Sequence, residues 1–292
     1  MRLRTLPLSL AGVILGIQLA FGDYRVKWTV IVMILLTTVC LQILSNLSNE
    51  LGDVLRGTDN DFRQGPRYGL NSGELTIGGM KGLIALFVVL CCVFGLLMIW
   101  LSFGTLLSLE AICLIMLGAA AIMAAMKYTL GRNPYGYRGL GDIYVFLFFG
   151  IVSVLGAYFV CAHTIPSWLT VLPAVSIGCF SVGVLNINNI RDMETDAENR
   201  VTVAIRLGLR GARIYQTLLV AAGWITMLAY FSLRYFDWMH FLFVLTLPLY
   251  VINMKTVWTC EGSRLDKALP MLVMSTFILS ILAGLGYIWF LL

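Results

Sequence analysis

Apolar residues arrive along this chain in long, nearly unbroken runs, and polar residues are pushed into the gaps between them. Nine runs reach the length that a helix needs to cross a bilayer, at about 5–22, 28–48, 82–103, 105–127, 140–162, 167–188, 212–233, 238–257 and 269–291. Each predicts a transmembrane helix. No alternating ten-residue pattern suggests a β-barrel, and hydrocarbon offers no partner to the unpaired backbone of any other structure. The expectation is an all-α, polytopic membrane protein forming one domain over 1–292.

Composition agrees with the pattern. Of the 292 residues 60% are hydrophobic and 12% charged, so much of the apolar surface must face lipid. The seven cysteines (40, 91, 92, 113, 161, 179 and 260) lie almost wholly inside the runs and show no metal-ligand spacing, which makes them packing groups. His163 and His240 each stand alone near the end of a run, where an interfacial role suffices. Arg2 and Arg4 precede the first run, but no small-x-small cleavage site follows, so that run is read as a span and not as a signal peptide.

Charge then sets the orientation. With nine spans, seventeen of the twenty Lys and Arg residues fall on the side of the N-terminus, leaving Arg25, Lys27 and Arg234 on the other. The positive-inside rule makes the protein N-in and C-out, in the cytoplasmic (inner) membrane. The net charge of +5 is therefore a topology signal and not a nucleic-acid footprint.

Two acidic, amide-rich stretches break the greasy pattern, and both belong to the cytoplasmic side. In "VLNINNIRDMETDAENR" Asn188, Asp192 and Asp196 are four apart, which stacks them on one face of a helix continuing from the sixth run. In "LSNLSNELGDVLRGTD" Asn49 and Asp53 repeat the step of four, whereas Asp59 follows after six, about 240° around an ideal helix. Asp59 can join the same site only if the helix ends or bulges between, and Gly57 is the place for it. Asn49 and Asn188, like Asp53 and Asp192, are 139 residues and four spans apart, as an internal duplication of spans one to four in spans five to eight would leave them.

Taken singly, each stretch reads as a solvated loop. Taken together, two acid clusters suggest magnesium, which combines a few carboxylates with phosphate oxygens from a substrate. Two such ions clamping a diphosphate with a lipid tail is the natural use at a membrane, the helices supplying a greasy tunnel for the tail.

These residues resemble the UbiA superfamily of intramembrane prenyltransferases. "LRTLPLSLAGVILG", "QILSNLSNELGDVLRGTD", "RQGP", "YTLGRNPYGYRGLGD", "VLNINNIRDMETDAENRVT" and "RLG" are similar to its branch acting on 1,4-dihydroxy-2-naphthoate in the menaquinone pathway, over about residues 2–213. The six-residue step from Asp53 to Asp59 is a mark of that branch.

The resemblance implies nine helices around a central cavity, with the active site at its cytoplasmic mouth. It implies Mg²⁺ held by Asn49, Asp53, Asp59, Asn188, Asp192 and Asp196, with Asp53, Asp192 and Asp196 carrying the catalysis. Arg63 is the implied diphosphate contact. The family's Tyr-x-x-x-Lys-like pair falls on Tyr128 and Arg132, with Lys127 as an alternative that also reads as a surface anchor. Asp142, in "GLGD", is implied to help the aromatic substrate or to order its loop.

The implied reaction joins a polyprenyl group from its diphosphate to 1,4-dihydroxy-2-naphthoate, with loss of CO₂ and diphosphate. Sister acceptors such as 4-hydroxybenzoate, a secondary transporter, and a helical protein without an active site are the competing readings. Gly12-x-x-x-Gly16 and the small-residue run at 118–126 are expected to pack helices closely. Asn46 and Asn186 are expected either to support the clusters or to pair between helices.

Overall fold

The computed structural model describes residues 3–57, 69–70, 73, 75–196 and 200–291. Among them nine helices are long and apolar enough to cross a membrane. They are α1 (Leu6–Asp23), α2 (Trp28–Leu55), α3 (Ile77–Phe103), α4 (Leu109–Lys127), α5 (Gly141–Ala162), α6 (Trp168–Arg191), α7 (Val203–Leu233), α8 (Trp238–Thr259) and α9 (Gly262–Leu291). No strand occurs among the described residues; one isolated parallel bridge joins Arg138 to Val201.

The nine runs thus become nine helices, but several reach further into the polar sequence than the apolar pattern does, α2 and α7 among them. Helix α2 continues to Leu55, carrying Asn49 and Asp53 on helical backbone, and stops just before Gly57, whose φ of +67° suits a residue without Cβ. Helix α7 begins at Val203, where the Thr202 hydroxyl accepts the Ile205 N–H, and kinks at Gly208. Thr76 and Ser108 cap α3 and α4 in the same way. Burial explains the extensions: Ser48, Glu50 and Asp53 lie inside the bundle, so their helical backbone is sheltered although their side chains are polar.

Packing is tightest where glycines let backbones meet. A Cβ at Gly12 or Gly16 of α1 would run into Ser153 or the Val154 carbonyl of α5. At the crossing of α5 and α6, a Cβ on Gly150 would lie 2.5 Å from the Gly178 Cα. Helix α5 carries a π-helical stretch, Phe146–Val152, at this crossing. The Gly12/Gly16 expectation holds.

The small-residue run of α4 does something else. A Cβ at Gly118 meets nothing within 4 Å, and Gly118, Ala121, Ala124 and Ala125 line a cavity. Their smallness leaves room inside the bundle and does not bring two helices together. On their outer faces, α3 and α4 expose Leu86, Val93, Trp100, Ile112 and Met116, as lipid contact requires.

The two histidines differ. His163 ends α5 in the left-handed region (φ +56°), with its ring stacked on Phe103 and bonded to the Ser102 hydroxyl. His240 is not interfacial: it is 3% exposed, against Phe231 and Tyr287. The sequence places it near a segment end, but the 3₁₀ start of α8 turns its ring into the core.

These contacts predict opposite outcomes for two glycines. Gly150→Val should lower stability by about 1–3 kcal/mol through overpacking, whereas Gly118→Ala should hold it or raise it by up to about 1 kcal/mol through helix propensity. Thermal unfolding in a single detergent separates the two.

Candidate active site

A cavity of about 380 Å³ runs through the bundle. Along α2 its wall extends from Ile34 to Asp53, nineteen residues or roughly 28 Å of helix rise. Ile34, Met98, Leu114 and Val160 form its apolar end, while Asn46, Asn49, Asp53, Asn188, Asn189 and Arg200 gather at the other. Tyr128, Tyr135, Tyr144 and Phe148 line one side, with Tyr135 and Tyr144 stacked at 3.8 Å.

Helical spacing builds the α2 side of the mouth. Asn46, Asn49 and Asp53 follow at steps of three and four, hence on one face. The Thr129 hydroxyl donates to the Ser48 carbonyl and lies 3.3 Å from the Asn49 Oδ1. It comes this close because Gly52 has no side chain there. Glu50 is committed elsewhere: its carboxylate accepts the Leu70 N–H at 2.8 Å.

The α6 side is an i+4 series in fact as well as in sequence. Backbone N–H groups of Asp192, Asp196 and Arg200 donate to the carbonyls of Asn188, Asp192 and Asp196 at 2.9–3.0 Å, so the series survives the end of α6 at Arg191. Asn188 lines the cavity. Asp192 does not: its carboxylate is gripped by Arg191, whose guanidinium also donates to Asn188 Oδ1 and to Asp266. Asp266 in turn holds Arg4.

Arg200 links the two halves. Its Nη2 lies 2.6 Å from Asp53 Oδ1, and its Nε 3.6 Å from Asp196. Tyr137 completes the cluster, donating its hydroxyl to Asp53 at 2.9 Å while Arg200 rests on its ring. Burial works against the Arg200 charge, but Asp53 and Asp196 outweigh it and hold the guanidinium pKa above its ordinary value. The loop after α4 reaches this cluster because the Val201 N–H donates to the Tyr137 carbonyl.

The sequence expectations therefore divide. Asn49, Asp53, Asn188 and Tyr128 line one cavity, and Asp196 joins them through Arg200. Lys127 and Arg132 are exposed and do not line it, which suits surface anchoring for Lys127 and takes both away from the cavity wall. A four-residue helical step brings Tyr128 inward but leaves Arg132 beyond the end of α4. Asp142 is buried beside the cavity, accepts the Tyr215 hydroxyl at 3.0 Å, and shares a small polar chamber with Asn189, Arg200 and Thr202. Asn186 is an interhelical amide, donating to Gln216 and to the Ala212 carbonyl of α7. Asp59 and Arg63 lie outside the described residues.

Sequence reading missed Arg200, Tyr137 and the Tyr135–Tyr144 stack. Arg200 had a signal: it extends the series 188, 192, 196 by one more step of four. The tyrosines had none, because only folding turns the 128–144 segment over the mouth.

Among the described residues, no three Asp, Glu, His or Cys side chains converge as a finished metal cage. The donors that do converge are hard oxygens from two elements. A guanidinium already bridges two of the carboxylates, so the site balances positive charge at this point. That donor set fits a divalent cation sharing its shell with substrate oxygens.

Comparison with known proteins agrees with this architecture. Residues 9–281 match the UbiA prenyltransferase family. The chain is 37% identical over 289 residues to a 1,4-dihydroxy-2-naphthoate octaprenyltransferase of Haemophilus influenzae, covering 98% of this chain and 93% of that one. It is 41% identical over 262 residues to the protein of the same name from Escherichia coli, covering 88% and 83%. The fold superposes on the apo structure of a UbiA homolog from Aeropyrum pernix K1 with a TM-score of 0.75 over the full length of both chains, at 16% identity.

The buried ion pair at the α6 terminus carries its own prediction. Arg191→Met leaves Asp192 buried without its cation and should lower stability by roughly 3–5 kcal/mol, measured by thermal unfolding of the solubilised protein.

Proposed function

Because the chain belongs to the UbiA prenyltransferase family, we propose that it transfers a polyprenyl group from its diphosphate to 1,4-dihydroxy-2-naphthoate, giving demethylmenaquinol, CO₂ and diphosphate. One observation supports this above the rest: a long apolar cavity whose single polar end combines carboxylates, amides and a guanidinium. That shape and polarity fit an amphiphile with a greasy tail and a diphosphate head. The names of the relatives support the acceptor.

In this reading Asn49, Asp53, Asn188 and Asp196, with Asp59, hold Mg²⁺, and Asp192 joins them when the metal displaces Arg191 from its carboxylate. When bound, Mg²⁺ neutralises charge on the departing diphosphate. The apolar walls around Gly118, Leu114 and Met98 take the tail and exclude water from the allylic centre. Tyr135, Tyr144 and Phe148 line the cavity, and aromatic rings attract cations such as the allylic cation of this reaction.

The allylic C–O bond breaks, and its electron pair leaves with the diphosphate. The ring carbon bearing the carboxylate forms the new C–C bond. Carbon dioxide then departs, returning its bonding pair to the ring. Atoms and charge balance without a covalent enzyme intermediate. Asp142, held by Tyr215 beside Tyr128, orders the loop that carries the aromatic wall. Arg63 belongs to the same reading as a diphosphate contact.

In this reading the mouth faces the cytoplasm of an inner membrane, which the distribution of Lys and Arg supports. A secondary transporter fits less well, since its binding groups belong near the bilayer midplane, whereas Asp53, Asn188 and Arg200 collect at one end.

Membranes carrying the protein, given 1,4-dihydroxy-2-naphthoate, a polyprenyl diphosphate and Mg²⁺, should yield prenylated naphthoquinol, and EDTA should abolish it. Asp53→Asn and Asp192→Asn should each lower the rate by about a hundredfold or more, while Lys127→Ala should leave it unchanged. Undiminished turnover in either aspartate variant refutes the site. Product from 4-hydroxybenzoate but not from the naphthoate reassigns the acceptor.

A further inference from the structure

The prenyl-transfer reading gives Arg200 no task, yet the fold sets this side chain between the two acid clusters. It joins Asp53, on α2, to Asp196, beyond α6, and so cross-links residues that are far apart along the chain. It also lines the cavity mouth.

Its two contacts are unequal. The bond to Asp53 is short, at 2.6 Å, whereas Asp196 lies 3.6 Å away, and the buried Nε makes no hydrogen bond among the described residues. The guanidinium plane rests 4.4 Å from the centroid of the Tyr137 ring, a flat surface over which it can shift while keeping its cation–π contact. Tyr137 in turn donates to the same Asp53 oxygen, so that oxygen stays partly satisfied when the guanidinium leaves.

The Arg200 guanidinium and the Tyr137 hydroxyl already use both lone pairs of Asp53 Oδ1, so a divalent cation bound to that oxygen must displace one of them, and charge repulsion favours the guanidinium. We propose that Arg200 is an internal counter-ion that occupies the acid clusters in the substrate-free protein and exchanges those carboxylates for the diphosphate when metal and substrate arrive. The proposal rests on the reading that a metal–diphosphate substrate binds at this mouth.

The exchange suits the chemistry of both partners. Arginine matches two phosphate oxygens with its planar fork, and the carboxylates it releases are free to take the metal. By linkage, the diphosphate draws Arg200 away and tightens metal binding, and metal does the same for diphosphate. Arg200 thus couples the two events. It keeps Asp53 and Asp196 from repelling each other while the site awaits its ligand.

The test uses the full-length protein in detergent. Mn²⁺ is titrated and the free aquo ion counted by electron paramagnetic resonance, with and without inorganic pyrophosphate and with the protein-free Mn²⁺–pyrophosphate complex subtracted. Wild-type protein should bind Mn²⁺ at least about tenfold more tightly when pyrophosphate is present, within the usual range of coupling between sites. Arg200→Gln should bind Mn²⁺ about tenfold more tightly than wild type in the absence of pyrophosphate, and should lose most of the enhancement. Arg200→Lys, which keeps the charge but not the fork, should stay near wild type without pyrophosphate.

An Arg200→Gln protein that unfolds at the wild-type temperature yet binds Mn²⁺ no more tightly overturns the proposal. Equal Mn²⁺ affinity with and without pyrophosphate in the wild type overturns it with no variant at all. Asp53→Asn separates this failure from that of the site itself. If it weakens Mn²⁺ binding while Arg200→Gln does nothing, the metal site stands and the counter-ion role falls. If Mn²⁺ binding ignores Asp53→Asn, the site reading falls as well.

Discussion

Hydrocarbon gives polar groups nothing to bond with, and this constraint orders the whole molecule. The spanning backbone satisfies itself in helices, and charge is carried to the two ends of the bundle. At the end away from the active site, Asp23 accepts from Tyr158 and Tyr287 and pairs with Arg234, which ties α1, α5, α7 and α9 together. At the other end, arginines meet the acids at each cluster: Arg191 with Asp192 and Asp266, Arg200 with Asp53 and Asp196. A buried carboxylate without such a cation would be costly. The ion pairs therefore hold the cluster acids inside, whereas the buried Glu50 and Asp142 are held by hydrogen bonds from the Leu70 N–H and the Tyr215 hydroxyl.

The same economy of polar groups shapes the cavity. Several helix contacts are closed by glycines that admit a neighbouring backbone, as at Gly16 and Gly150. On α4, Gly118 has nothing within 4 Å, and with Ala121, Ala124 and Ala125 it lines the apolar chamber. Small residues thus have two opposite effects in one fold, decided by whether a neighbouring backbone lies against them. The chamber is polar at one end, to which the end of α2 and the described segments after α4 and α6 contribute.

Those loops cooperate through few bonds. The Val201 N–H to the Tyr137 carbonyl, the Arg56 guanidinium to the Gly131 carbonyl, and Thr129 to Ser48 fix the segment after α4 against both acid clusters. Two cations, Arg56 and Arg200, also lie against the ring of Tyr137. The mouth is consequently an assembly of segments from three parts of the chain, joined by charge and aromatic contact.

Much of this was legible without a structure. Run length alone gave nine helices, because lipid leaves the backbone no other choice, and the spacing of Asn49, Asp53, Asn188, Asp192 and Asp196 marked the two clusters. Spacing within one helix is a local property, so sequence carries it directly. What sequence did not carry is where each side chain points once helices cross: Asp192 toward Arg191 and not into the cavity, Lys127 and Arg132 outward, His240 inward, the α4 alanines onto empty space. Arg200 reaching Asp53 across 147 residues is of the same kind. Such facts depend on the distance between separate segments, which the packing of whole helices sets and no local pattern encodes.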